Sequence, residues 1–288
     1  MSGEAHTTRD ELNARRGSHL FGRMRPGGVW IATLSTLVVF GVIGFVVVNA
    51  PGFERVQEAF FHPEHFQRSI PRLAESLWVN VQMFLIAEVC ILAFALLLAV
   101  MRSLPGPVFF PFRLMAISYV ELFRAVPGVL VIYLLAFGVP GLRIPGLVTE
   151  AFFWGLVALV LVWSAYVAEV YRAGIESVHS SQDAAARSLG LSRLQGLRYV
   201  VLPQAVRRVI PPLLNDFIGL QKDTALVSFV GVVEVFRRSQ ILGGAAFNFT
   251  PYVVCALFFV LLTIPMARLV DYFAARDRRR QLAGVGGR

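Results

Sequence analysis

Ser181-Gln182-Asp183-Ala184-Ala185-Ala186-Arg187-Ser188-Leu189-Gly190, running on to Val200-Val201-Leu202-Pro203, is a short basic segment set between long apolar runs. Its first half is rich in helix formers, and Asp183 stands in the first turn, where a negative charge suits a helix N-terminus. Gly190 stands where a left-handed stop is expected. Ser192 is followed three residues later by Gln195, a capping-box spacing that restarts a helix. Leu194, Leu197 and Val201 then recur at helical spacing, and Pro203 is expected to close the second piece. The pattern predicts helix, tight turn, helix. Two readings of it stand side by side: a plain loop between two membrane spans, or a knob whose small Ala184–Ala186 face lets a partner come close.

The surrounding chain decides the class. It has 288 residues, is 56% hydrophobic and only 16% charged, and carries a formal charge of +9. Apolar runs near the ~20 residues needed to cross a bilayer recur along it, which marks a polytopic membrane protein. The arginines cluster between these runs, as topology signals do, so nucleic acid is not an expected partner. Cys90 and Cys255 lie inside apolar runs and read as small packing residues. Lys222 is the only lysine, and Asp223 follows it. A phosphate-binding P-loop needs Gly-rich sequence ending in Lys and then Ser or Thr, so this chain cannot build one. No metal-ligand cluster or nucleophile–base pair is visible either. The chain is not expected to be an enzyme or to hold a cofactor, and any ATP would bind to another subunit.

Residues 1–28 form a basic tail, expected to be disordered and cytoplasmic. An uncharged helix over 29–50 follows, longer than a cleaved signal sequence requires, with its N-terminus placed inside by the upstream arginines. Residues 51–75 read as an outside loop. Further spans are expected over 77–101, 126–139 (with an amphipathic lead-in over 112–123), 150–171, from 209 onward, and 251–270, before a second basic tail over 272–288. That makes six spans with both termini inside. The halves do not echo each other, which disfavours a secondary transporter built from internal repeats.

Ala185, Ala186, Gly190, Val200, Leu202 and Pro203 fall on a spaced pattern that resembles the cytoplasmic loop of permease subunits in bacterial ABC importers. That pattern is Glu-Ala-Ala, three residues, Gly, nine residues, an aliphatic, one residue, Leu-Pro. The position usually held by Glu is Ala184, with Asp183 one residue early. Glu121 to Pro127, Ala168 to Ile175, Leu202-Pro203-Gln204-Ala205 and Lys222-Asp223-Thr224-Ala225-Leu226 are similar to segments of the polar amino-acid permeases of this group, such as those for glutamate, glutamine and histidine. The resemblance implies an all-α membrane protein with the type I ABC importer permease fold. A five-helix domain over 76–271 would carry one extra N-terminal transmembrane helix.

By the same resemblance, Asp183, Ala184, Ala185, Ala186, Gly190, Val200, Leu202 and Pro203 form the loop that docks on an ABC ATPase subunit. A second permease subunit, identical or paralogous, would complete the translocation path across the cell inner membrane. An extracytoplasmic substrate-binding protein would deliver a small polar amino acid of the glutamate, glutamine, arginine or histidine class. The outside stretches 51–74 and 237–250, with Phe247 and Phe249, are candidate contacts for that protein, and the two rings equally suit the membrane interface.

Charges inside a span are costly and are usually functional or paired. Lys222 and Asp223 therefore line the path in one reading and form a structural ion pair, or a pair at the membrane boundary, in the other. Asn215, Asp216 and Gln221 on neighbouring turns extend a polar stripe. Glu88, isolated in an apolar run, is a substrate contact or a buried acid bonded to a neighbouring helix. Glu169 with Arg172, and Glu121 with Arg124, have the spacing of same-face ion pairs, and a structural role is expected for both. A self-sufficient channel and a transport-inactive anchor are the competing classes. The first needs relay residues in several helices, and the second leaves the charges around 215–223 unexplained.

Overall fold

The structure, a computed structural model, describes residues 26–178 and 180–285. Most of the N-terminal tail and His179 lie outside the described residues. The chain divides after Glu58 into two units. The first is dominated by α1 (Pro26–Val48), a helix whose apolar side chains are exposed along its length. Thr33, Ser35 and Thr36 turn their hydroxyls back onto carbonyls three or four residues earlier. That consumes the polar groups locally, as an apolar surrounding requires.

Residues 51–75 differ from the expected loop. They are helical: α2 (Phe53–Phe60) is followed by α3 (Pro63–Ser103), which begins well before the expected 77. Pro63 opens α3, where a missing N–H costs nothing. At 41 residues, α3 is about 60 Å long, twice the hydrocarbon thickness of a bilayer. Its buried face runs through Ser69, Leu73, Ser76, Asn80, Met83, Ala87, Ile91, Ala95 and Leu98 at helical spacing. The early part of that stripe is polar, so hydropathy does not reveal it.

The third expected span is two helices, α4 (Phe110–Ala125) and α5 (Gly128–Gly141), bent by 104° at Val126-Pro127. Pro127 cannot donate to the helix behind it, and it holds Val126 in an extended conformation. α6 (Ala151–Glu176) is the hub and packs against α3, α4, α5 and α9. α7 (Ser180–Ser188) and the short α8 (Arg193–Gly196) form the segment first read as helix, turn, helix. α8 then runs through one wide turn (Leu197–Val201) into α9 (Leu202–Asp223). Pro203 thus does not close the second piece; it sits in the first turn of a helix that continues. A tight 3₁₀ stretch (Thr224–Val230) ends at Gly231 with φ +90°, and α10 (Val235–Ala246) and α11 (Thr250–Val285) follow. α11 extends beyond the expected stop at 270.

Two apolar cores result. The larger joins α3, α4, α5, α6 and α9, while Leu73, Val235, Val254 and Cys255 centre a smaller one between α3, α10 and α11. Among the described residues, four helices are long and apolar enough to cross a membrane, and the bent pair makes a fifth. α9, expected as a span from 209, does not qualify by composition, because Arg207, Arg208, Asp216, Lys222 and Asp223 interrupt it.

Candidate functional site

The segment between α6 and α9 is built by local chemistry. α7 ends in a Schellman stop: Leu191 N donates to Ala186 O at 3.1 Å and Gly190 N to Arg187 O at 2.9 Å, with Gly190 at φ +81°. The capping box is reciprocal. Ser192 N donates to Gln195 Oε1 at 2.8 Å, and Gln195 N to Ser192 Oγ at 3.3 Å. Ala184 and Ala185 are exposed while Ala186 is buried, so only part of the small-residue face is open. Val200, Leu202 and Pro203 lie on the continuous helix leading into α9. Of Asp183, whose side chain lies outside the described atoms, only its place in α7 is fixed.

Several contacts tie this segment to the helix bundle. Arg208 of α9 donates to the Ser177 carbonyl just beyond α6. A Cβ on Gly174 would lie 2.0 Å from Val209 Cγ2, so α6 and α9 meet closely there. Glu169 accepts from Arg102 at the end of α3, at 2.9 Å, and from Arg172, which also reaches Glu176. The expected Glu169–Arg172 pair is therefore one link of a chain joining the end of α3 to the last turns of α6. Glu121 and Arg124 do not ion-pair: the Arg124 guanidinium lies over the Tyr166 ring, 5.7 Å from its centre.

The five polar residues expected along the path separate. Asn215 and Lys222, two turns apart, share the exposed face of α9. Asp216 is half-buried and near enough to Glu88 of α3 for the two charges to oppose each other. Gln221 is buried and accepts from Thr263 of α11 at 3.2 Å. Asp223 is half-buried at the end of α9. Gly219, between Asn215 and Lys222, lies against Trp163 so closely that a Cβ would meet Cη2 at 2.3 Å. An apolar cleft of about 340 Å³ opens between α3, α6 and α9, lined by Leu96, Ala99, Tyr171, Val206, Val209 and Leu213. Its lining suits acyl chains rather than a zwitterion.

Sequence reading missed a buried polar knot. Glu234, fully buried, caps α10 by accepting from Phe236 N at 2.9 Å and Arg237 N at 2.7 Å. Asn80 of α3 donates to Glu234 Oε2 and to Thr224 Oγ1, both at 3.0 Å, and accepts from Val235 N at 3.1 Å. The carboxylate at the N-terminus of α10 is the only sequence signal for it. At the N-terminal end of α3, residues 59–62 meet Phe249 and Thr250. Phe249 N donates to Ala59 O at 2.7 Å, and the Phe60 and Phe249 rings stack at 5.0 Å. Phe247 beside them is 95% exposed. Among the described residues, no group of three or more His, Cys, Asp or Glu is placed to hold a metal ion.

Residues 91–279 match the family described as binding-protein-dependent transport system inner membrane component. The chain belongs to that family. The permease is 38% identical over 181 residues to the probable glutamine ABC transporter permease protein GlnM of Bacillus subtilis (strain 168), spanning 62% of this chain and 80% of that one. It is 33% identical to the glutamate transport system permease protein GluC of Corynebacterium glutamicum over 207 residues, spanning 68% and 90%. A solved amino acid ABC transporter "with histidines" superposes with a TM-score of 0.67 at 31% identity, covering 73% of this permease and 95% of that chain. The permease thus has the all-helical type I ABC importer fold and is the multi-pass membrane subunit of an amino-acid importer rather than its ATPase.

Proposed function

We propose that this permease lines the path for a small polar amino acid and is driven by a separate ABC ATPase docked on the segment 181–203. The observation that carries this reading is the build of that segment. A short helix with exposed Ala184 and Ala185, a glycine stop and a capped restart are held to α6 and α9 by Arg208 and the Gly174–Val209 contact. Such a rigid piece, fixed to two long helices, can move them when a partner moves it. Nucleotide binding would close the ATPase dimer, and the bundle would rock between inward- and outward-facing packings. The chain itself then needs no cofactor and performs no catalysis.

A second permease, identical or paralogous, completes the path by covering the exposed α9 face with Asn215 and Lys222. Asp216, Gln221 and Asp223 support that face from inside. An extracytoplasmic binding protein docks over the patch of Phe60, Phe247 and Phe249. The topology in this reading is six spans, with α9 as the least apolar and both termini inside.

Affinity capture of the ATPase subunit by the tagged permease tests the reading. Wild type and Thr36→Val in α1 retain the ATPase, whereas Ala185→Glu releases it. Retention by Ala185→Glu at wild-type levels would remove the docking role. Uptake of labelled glutamate, glutamine, arginine and histidine into cells lacking and regaining this chain assigns the substrate.

A further inference from the structure

Arg124 stands in an unexpected place. The last turn of α4, just before the 104° bend at Val126-Pro127, meets α6 one turn before Glu169. Tyr166, under the Arg124 guanidinium, is ten residues from the end of α6 at Glu176, or about 15 Å along the helix axis. Both side chains are exposed, Tyr166 at 39%. Among the described residues, Arg124 has no carboxylate within ion-pair distance. An unpaired guanidinium between two candidate membrane spans cannot face hydrocarbon cheaply, so its surface is covered by protein or opens to water.

The surface continues. Trp163, one turn from Tyr166 on α6, has its ring 5.7 Å from that of Tyr166. Gly219 of α9 packs on Trp163, and Asn215 and Lys222 flank Gly219 on the same helix face. Arg124, the two rings and the exposed face of α9 thus form one strip. Leu122, two residues earlier, is also exposed, but it points to the opposite side of α4 and lies beside the apolar side chains of Val126, Val131 and Leu134. One face of α4 is suited to lipid and the other to a polar path.

We propose that Arg124, held by Tyr166, is a cation of the translocation path that receives the carboxylate of the amino acid. The inference rests on the reading of the chain as an amino-acid permease. The Arg124 Cζ lies over the Tyr166 ring, 5.7 Å from its centre, and a guanidinium held on an aromatic ring keeps its N–H fork for both oxygens of a carboxylate. Lysine at the position keeps the charge but loses the fork and the stacking.

The test uses the complete transporter in proteoliposomes, with Cys90→Ala and Cys255→Ala removing the native thiols. Arg124→Cys is expected to react with a membrane-impermeant sulfonate thiol reagent applied to both faces, while Leu122→Cys stays unreactive and transports normally. Whichever of glutamate, glutamine, arginine or histidine the wild type accumulates is expected to compete with its own labelled uptake at least about ten-fold better than its α-carboxamide does, and Arg124→Gln is expected to lose most of that preference, as a carboxylate site requires. In the parallel variants, Arg124→Gln lowers uptake about ten-fold at equal complex levels, and Arg124→Lys falls between it and wild type. An unreactive Arg124→Cys, a carboxylate preference that Arg124→Gln keeps in full, or wild-type uptake by Arg124→Gln each overturns the proposal. A wild-type complex that accumulates none of the four amino acids would instead reject the function on which the proposal rests.

Discussion

Arg102 in the last turn of α3 and Glu169 of α6 are 67 residues apart in sequence and meet at 2.9 Å, both largely buried. Glu169 also holds Arg172, and Arg172 holds Glu176 at the end of α6. A charge-assisted hydrogen bond of this kind contributes about 2 kcal/mol, and its loss leaves a partner arginine poorly solvated. Arg102→Ala and Glu169→Gln are each expected to lower the unfolding midpoint of the purified permease. The double variant is expected to lose about 1 kcal/mol less than the sum, because the two residues share one contact. Strict additivity in a thermal or denaturant series would show that Arg102 and Glu169 act separately.

The Asn80–Glu234 contact gives a sharper comparison. Both residues are buried, and Asn80 supplies the donor that neither backbone N–H of α10 can replace. Asn80→Ala removes one donor and leaves an oxygen of Glu234 short of a partner, a cost of about 1–3 kcal/mol. Asn80→Asp is expected to be worse than alanine, since it places a second carboxylate against Glu234. Glu234→Gln should relieve the Asn80→Asp variant. Melting curves of the three variants decide this, and an aspartate variant as stable as the alanine one would count against a charged Glu234.

What sequence reading reaches here depends on the range of the interaction. The Gly190 stop and the Ser192–Gln195 box were legible because each is completed within five residues. Pro203 was misread. The wide turn before it already shifts the ladder, with Leu202 N bonding Leu197 O, so the N–H that proline lacks falls where the register changes. The start of α3 was hidden because Ser69, Ser76 and Asn80 occupy its buried face, and hydropathy counts them as polar. Arg124 was read as the partner of Glu121 because no local signal reports that the Tyr166 ring of α6 stands beside it. The separation of Asp216 and Gln221 from Asn215 and Lys222 depends on α3 and α11, whose packing a single helix pattern does not contain.

The capping box allows a local prediction. Ser192→Ala and Gln195→Ala each remove one of two reciprocal bonds, worth about 1 kcal/mol apiece to the start of α8. Hydrogen exchange is expected to accelerate over residues 192–201 in both variants, while amides of α6 and α3 stay as protected as in wild type. Faster exchange spread through α6 would mean that the segment is not an independent local unit.

The last prediction concerns how closely α6 and α9 approach below the docking segment. Gly174 leaves so little space that an added Cβ would sit 2.0 Å from Val209 Cγ2 and 3.5 Å from the Ala205 carbonyl. Small residues at such crossings let helices in a membrane come together. Gly174→Ala must therefore push α9 outward or twist Val209 off its rotamer, a strain of about 1–3 kcal/mol. The neighbouring Arg208–Ser177 contact sits one residue from Val209, so the same displacement loosens the hold of α9 on the loop. Gly174→Ala is expected to lower both the unfolding midpoint and the amount of ATPase captured by the permease. Adding Val209→Ala removes the colliding methyl groups and should restore both readouts in large part. Recovery of stability without recovery of capture would separate helix packing from coupling and place the lever elsewhere.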